Sequence, residues 1–492
     1  MILRCRFYFL IFSFYFVKKF YITTPIYYVN AKPHIGHAYT TIAADVLARF
    51  HRLQGKDVFL LTGTDEHGLK IQREAEKNKK KPQEFVDEIS AEFRNLWEKL
   101  GIQYDRFIRT TDPSHKKAVQ KVLQTLYDKG VIYKGEYEGL YCVACEQFRQ
   151  ESELIDGRCP DHDIVLEKVK EECYLLKLSE VHSKLIKKIE SDEFAISPEQ
   201  YKKEILSFLK SQPLRDISIS RKNVSWGIPL PFDSKHTTYV WIDAFLNYLT
   251  GLGWNGDILR WHLRKAEDAI LGFWPPDVQL IGKDILRVHA TIWPAILIHL
   301  GIDLPKRLYV HGHILSGGRK MSKTLGNVIS IEEMLKKFGK DGTRYLLMSA
   351  GTFGEDVDIT TERMVEKYNA DLANGIGNYL SRVLKLLKEI SNFQYPIKLS
   401  DKSWALVRNI EISKALSEIW KIVWENDKFI EENKPWELAK SNKDKFNEVM
   451  QKLTSDLHLI SELLIPFMPE TSEKIKKALK TKKTEILFPR VK

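Results

Sequence analysis

Residues Phe20 to His37 read FYITTPIYYVNAKPHIGH, and this stretch decides the fold. Tyr21 to Val29 is apolar, β-branched and aromatic, the pattern of a buried strand, and it hands over to a helix from His34 to about Arg52. A second apolar strand, Val58 to Leu61, runs into Thr62-Gly63-Thr64-Asp65-Glu66-His67-Gly68, and helical periodicity then continues from Lys70 to Leu100. Strand, helix, strand, helix is the rhythm of a parallel α/β sheet. The rhythm stops between about Thr111 and Gln212. It returns in strand-like segments at Thr237 to Trp241, Val278 to Ile281 and Arg307 to Leu315. A parallel sheet interrupted by an inserted module is the simplest organisation.

The tail follows a different rule. No glycine occurs after Gly377, and Leu372, Ile376, Leu380, Val383, Leu384 and Leu387 recur every three or four residues. That spacing makes one apolar helical face, so the tail is expected to be a Lys-rich helical bundle.

Strand ends are where an open parallel sheet binds ligands. Pro33-His34-Ile35-Gly36-His37 places two histidines on one face of a helix start, beside backbone N–H groups and the positive dipole end, which suits phosphate. Gly36 lets a flat group approach the backbone. Lys320-Met321-Ser322-Lys323-Thr324, after Ser316-Gly317-Gly318-Arg319, brings several cations together and suits a triphosphate. Taken singly, the first motif also describes a satisfied histidine pair and the second an exposed basic loop.

Cys142-x-x-Cys145 and Cys159-x-x-His162, thirteen residues apart, form two chelating pairs with knuckle spacing. They predict one closed, tetrahedral, structural Zn2+ per chain in a reducing compartment. Reduced cysteines in turns are the alternative. Five cysteines in 492 residues do not make a disulfide framework.

In this order and at these distances, His-Ile-Gly-His and Lys-Met-Ser-Lys resemble the paired signatures of the class I aminoacyl-tRNA synthetases, from about Phe20 to the C-terminus. Tyr21 to His37, Leu61 to Gly68, Tyr239 to Tyr248 and Gly282 to His289 are similar to the methionyl branch, particularly its bacterial form. The resemblance implies a Rossmann-type parallel sheet split by a zinc-containing connective insertion, followed by an all-α anticodon-binding bundle. It implies a catalytic sheet at 20–110 and 214–319, the insertion at 111–213, a stem-contact region at 320–366 and the bundle at 367–492.

It also implies residue roles. His34, Gly36, His37, Lys320, Met321, Ser322 and Lys323 would bind ATP, with both histidines and both lysines catalytic. Ile26, Tyr28, Trp241, Ala244, Tyr248, Ile285 and His289 would line a methionine pocket, with Asp65 holding the ammonium. Aromatic and aliphatic walls suit a flexible thioether, and Tyr28 and His289 offer polar contacts to sulfur. Asn378, Arg382, Pro435 and Trp436 would read the anticodon, the indole stacking on a splayed base. Thr324 stands where the family more commonly has Ser and keeps the hydroxyl. The substrates would be ATP with Mg2+, L-methionine and tRNA(Met).

Several rivals are excluded or weakened. Valyl, isoleucyl and leucyl enzymes carry a much larger insertion than the hundred-odd residues here, and a cysteinyl enzyme would place its metal beside the substrate. A nucleotidyltransferase would lack the knuckle and the helical tail, and a non-catalytic tRNA-binding relative should have decayed signatures. A net charge of +11 agrees with a polyanionic partner. Phe7 to Val17, an aromatic run inside 1–19, is too short to span a bilayer and reads as a leader or an over-long start. No membrane role is expected. The expected setting is the cytoplasm, with the mitochondrial matrix as the alternative if the leader is real, and the expected state is a monomer.

Overall fold

The computed structural model describes residues 17–142, 147–149, 151, 154–160, 163–222, 224–264, 268, 270–321, 329–388, 401–483 and 486–492. Its centre is a six-stranded parallel sheet. In chain order the strands are β1 (Lys19–Tyr28), β2 (Asp57–Asp65), β3 (Arg106–Arg109), β4 (Ala195–Ser197), β5 (Val278–Gly282) and β6 (Arg307–His311). In space they run β3-β2-β1-β5-β6-β4. The order reverses between β1 and β5, and the crevice beyond the carboxyl ends of those two strands is where such a sheet takes ligand.

Both sheet faces are covered, because successive strand residues point to opposite sides. Phe20, Ile22, Leu60 and Leu280 pack with α1 (Ile35–Leu53) and α2 (Pro82–Leu100), whereas Tyr21, Leu61, Ile281 and Leu308 pack into a second core on the other face. On that second face lie α3 (Val240–Phe245) and α4 (Leu286–Leu300). The first core continues into α5 (Ile331–Met348) and the C-terminal helices α6 (Asn378–Leu387), α7 (Ile412–Asn433), α8 (Pro435–Ser441), α9 (Lys443–Leu464) and α10 (Pro469–Thr481). A ten-residue π-helical stretch, Tyr368–Gly377, leads directly into α6. No described helix is long and apolar enough to cross a membrane.

Four sequence expectations change. Arg307 to Leu315 is not one strand: β6 ends at His311, and Ile314–Ser316 pairs in a separate small sheet. Helical periodicity from Lys70 to Leu100 is two helices, Leu69–Lys77 and α2, because Pro82 lacks an N–H and sits comfortably only in a first helical turn. Thr237 to Trp241 is not one strand: a strand ends at Thr238, and Trp241 and Ala244 ride on α3. The interval 111–213 is not wholly outside the sheet either. Its residues 195–197 pair in parallel with Arg307–Tyr309 and supply the outer strand β4. The rest of that interval holds an antiparallel sheet in which Ile132–Cys142 pairs with Gln147–Arg149 and Glu167–Leu176.

Candidate active site

The end expected to face ATP is the start of α1. His34 is its N-cap, and its Nδ1 accepts from the Gly36 N–H at 3.1 Å. In return the His34 N–H donates to His37 Nδ1 at 3.2 Å. This is a capping box built from two histidines, the rings stacked with centroids 3.6 Å apart. Because both Nδ1 atoms accept, each neutral ring carries its proton on Nε2. Burial, and then the neighbouring His34, holds His37 well below the ordinary imidazole range. The pair therefore offers two Nε2–H donors, and His37 stays neutral. Gly36 has a local reason that the sequence did not reveal: a Cβ there would lie 3.0 Å from His34 Cε1 and displace the capping ring.

The proposed amino-acid residues gather at the switch point. Ile26 and Tyr28 end β1, and Asp65 ends β2 in register with Tyr28. Trp241 and Ala244 come from α3, Tyr248 from the short helix Asn247–Thr250, and Ile285 and His289 from the start of α4. His289 and Tyr248 are buried and bonded, with Nε2 and Oη 2.9 Å apart, while His289 Nδ1 lies 3.0 Å from the Ile285 carbonyl oxygen. A carbonyl only accepts, so Nδ1 carries the proton and Nε2 accepts from the tyrosine. His289 thus has both nitrogens engaged, and its expected contact to sulfur would require one of these bonds to be given up. Phe245, edge-on to His289 at 4.9 Å and stacked on Trp293 at 5.8 Å, backs the same wall.

The lysine motif begins on a hairpin. Ile314–Ser316 pairs antiparallel with Arg319–Lys320 through a turn in which Gly317 and Gly318 have φ of 63° and 73°. Two successive positive φ values make a tight primed turn, which is what the glycines supply here. Lys320 and Met321 follow it, while Ser322, Lys323 and Thr324 lie outside the described residues.

Residues 20–168 and 162–384 match the family model for "tRNA synthetases class I (M)", and residues 396–490 match the anticodon binding domain of methionyl tRNA ligase. The chain belongs to the class I methionyl-tRNA synthetases. It is 43% identical to the methionine–tRNA ligase of Clostridium acetobutylicum, covering 96% of this chain and 78% of that protein. It is 45% identical to the one of Clostridium tetani, covering 94% and 74%. A solved Mycobacterium tuberculosis methionyl-tRNA synthetase in complex with methionyl-adenylate superposes with a TM-score of 0.86 at 35% identity, covering 94% of this chain and 93% of that one.

At the far end of this synthetase, Asn378 opens α6 with Arg382 one turn on, both on an accessible face. The Arg382 guanidinium lies 5.9 Å from the Trp436 ring centroid and pairs with Glu431 at 2.6 Å. Pro435 is the first residue of α8, after Lys434 in the left-handed region, and the Trp436 beside it is 41% exposed. A large indole left that accessible on a folded bundle is available to stack.

Of the four expected zinc ligands, Cys142 and Cys159 are buried in one small cluster with Leu166. Asp163 N–H donates to the Cys159 carbonyl at 2.8 Å and Cys159 N–H to that of Ile164 at 2.9 Å. Cys145 and His162 lie outside the described residues. Two buried thiols in one cluster fit half of a thiolate site.

Sequence reasoning missed the groups that hold this synthetase's site from behind. Buried Glu66 accepts from Arg109 Nε at 2.7 Å and from the Thr64 and Thr111 hydroxyls, and so ties β2 to β3. His311 at the end of β6 lies 2.7 Å from Thr40 Oγ1 on α1. Except for Thr64, their partners lie 43 or more positions away in sequence, so no spacing signalled them.

Proposed function

We propose that the chain activates L-methionine with ATP and transfers the methionyl group to tRNA(Met), serving elongation and initiation. The methionine carboxylate attacks the α-phosphorus, pyrophosphate leaves, and methionyl-adenylate remains in the crevice. The terminal ribose 2′-OH of tRNA then attacks the methionyl carbonyl carbon, and AMP leaves. Both nucleophiles belong to substrates, so the protein contributes alignment and charge stabilisation.

In this reading the Nε2–H groups of His34 and His37 donate to phosphate oxygens, and Lys320 and Lys323 stabilise charge on the triphosphate, which arrives with Mg2+. Asp65 holds the ammonium, and the walls from Ile26 to His289 hold the side chain. Residues 320–366 face the tRNA stem, and Asn378, Arg382, Pro435 and Trp436 face the anticodon. The carrying observation is the coincidence of the histidine-capped helix and the cluster of Trp241, Tyr248 and His289 near the reversal of strand order. Zn2+ held by Cys142, Cys145, Cys159 and His162 would supply structural cross-linking of the insertion and no chemistry of the reaction. Bacterial relatives support a cytoplasmic setting, with the mitochondrial matrix as the alternative.

Amino-acid-dependent ATP–pyrophosphate exchange tests the activity. Methionine alone should stimulate exchange strongly; equal stimulation by isoleucine or valine would overturn the specificity. Elemental analysis of purified protein should find one zinc per chain and a loss of it in Cys159→Ser. A metal-free wild-type preparation with full exchange activity would remove zinc from the account.

A further inference from the structure

Behind the methionine pocket runs a buried line of polar side chains that the roles above do not use. Asp243 on α3 has one carboxylate oxygen 2.6 Å from His67 Nδ1 and the other 2.8 Å from His115 Nε2. His115 Nδ1 in turn lies 2.7 Å from Thr250 Oγ1. All of these side chains are buried, His115 completely. A carboxylate accepts and does not donate, so the facing nitrogen of each imidazole must carry a hydrogen. Burial alone would push Asp243 up, yet the two imidazoles outweigh it and hold the carboxyl at about 2. An ionised carboxylate survives in so dry a place only because both its oxygens are paired. His67 Nε2, also buried, has no hydrogen-bond partner among the described residues.

The ends of this line indicate its use. His67 stands two residues after Asp65, on the turn leaving β2. Asp243 stands between Trp241 and Ala244's side of α3, and Thr250 stands two residues after Tyr248. One carboxylate therefore bolts the turn carrying the ammonium ligand to both pieces carrying the thioether wall. The turn has separate backbone support: Gly68 N–H donates to the Trp226 carbonyl at 3.0 Å, and the Trp226 indole donates to the Glu66 carbonyl at 2.6 Å. Losing the Asp243 bonds should consequently shift the turn rather than unfold it.

We propose that Asp243 is a positioning residue of the methionine site, setting the distance between Asp65 and the Trp241–Tyr248 wall through His67 and His115. It rests on the reading of Asp65 as the ammonium ligand. Misplacing a binding group by about 1 Å is enough to cost as much as 10²-fold. The effect should fall on methionine alone, because neither end of the line reaches the His34–His37 cap.

The test is ATP–pyrophosphate exchange on the full chain carrying Asp243→Asn, which keeps shape but offers an N–H to one imidazole. The expected result is a methionine KM raised about tenfold or more, with the ATP KM within about twofold of wild type. His67→Asn, which keeps a donor near the Nδ1 position, should partly preserve the wild-type KM where His67→Ala does not, and it serves if Asp243→Asn fails to fold. Methionine and ATP constants moving together, or neither moving, would overturn the proposal. Asp65→Asn is measured alongside. If it leaves the methionine KM unchanged, the ammonium reading fails; if it raises that KM while Asp243→Asn and His67→Ala do not, the positioning role fails alone.

Discussion

His289 shows how far a single residue's environment sets its chemistry. Burial pushes its pKa down to about 4, against the opposing pull of the Ile285 carbonyl. The ring stays neutral through the working range, so the Tyr248-to-His289 bond keeps its direction. The methionine KM should therefore be flat from pH 8 down to about pH 5 as far as this residue is concerned. A KM that climbs through pH 6.5 in wild type and not in His289→Gln would contradict that. The stability consequence has a definite sign. The unfolded ring, with a pKa near 6.5, takes its proton before the folded one does, so its contribution is whole above about pH 6.5 and is lost as pH falls toward 4. Tyr248→Phe leaves the buried Nε2 without its donor and should cost about 1–3 kcal/mol in a denaturant melt. At this scale the sequence was legible where placement is local, as for His34 and His37 at the start of α1. It was silent on Asp243, His67, His115 and His311, whose partners lie from 128 to 271 positions away.

Elements were legible in proportion to how much of their signal is periodic. The β1–α1–β2 start and the amphipathic tail carry strong patterns; the expected bounds of the start fall within a few residues of those observed, and the tail is helical, although Leu372 and Ile376 lie in the π-helical stretch before α6. Trp241 misled because a short buried helix and a buried strand are equally apolar, and six residues are too few to show a period. β4 was missed because three residues at a sheet edge have no pattern at all. Two element-level predictions follow from the motifs that periodicity did locate. Lys323→Ala, on the segment after the Gly317–Gly318 hairpin, should lower the exchange rate at least about 10²-fold while methionine binding by intrinsic fluorescence stays near wild type. An unchanged exchange rate rules out its role on the triphosphate. Trp436→Ala on α8 should spare exchange and weaken aminoacylation by about 1–3 kcal/mol, one lost base stack. If both half-reactions fall together, Trp436 is packing rather than reading.

At the scale of the molecule, one buried side chain ties the parts together. Arg344 on α5 is fully buried. Its guanidinium donates to the carbonyls of Phe467 at 2.8 Å and Pro466 at 2.9 Å in the bundle, and to that of Leu100 at the end of α2 at 3.3 Å. It also pairs with Asp45 of α1 at 2.7 Å. Asp45 lies on the helix whose first turn is the histidine cap, so the cap and the helical bundle hang on the same planar group. Lysine cannot reproduce this set of bonds, because a single ammonium lacks the fork geometry to serve three carbonyls and a carboxylate. Asp45 keeps Arg49 at 2.7 Å and the Gln103 N–H at 2.9 Å, but the carbonyls lose their donor in a dry interior. Arg344→Ala should accordingly destabilise by about 3–5 kcal/mol, read as a lowered denaturant midpoint. Arg344→Lys is the sharper probe, since it should fold and yet loosen the bundle from α1. In it, exchange without tRNA should stay close to wild type while the aminoacylation penalty of Trp436→Ala shrinks, because anticodon contacts no longer bear on the cap. If that penalty is the same in the Arg344→Lys background as in wild type, the bundle is coupled to the active site by some other route and Arg344 only holds the fold together.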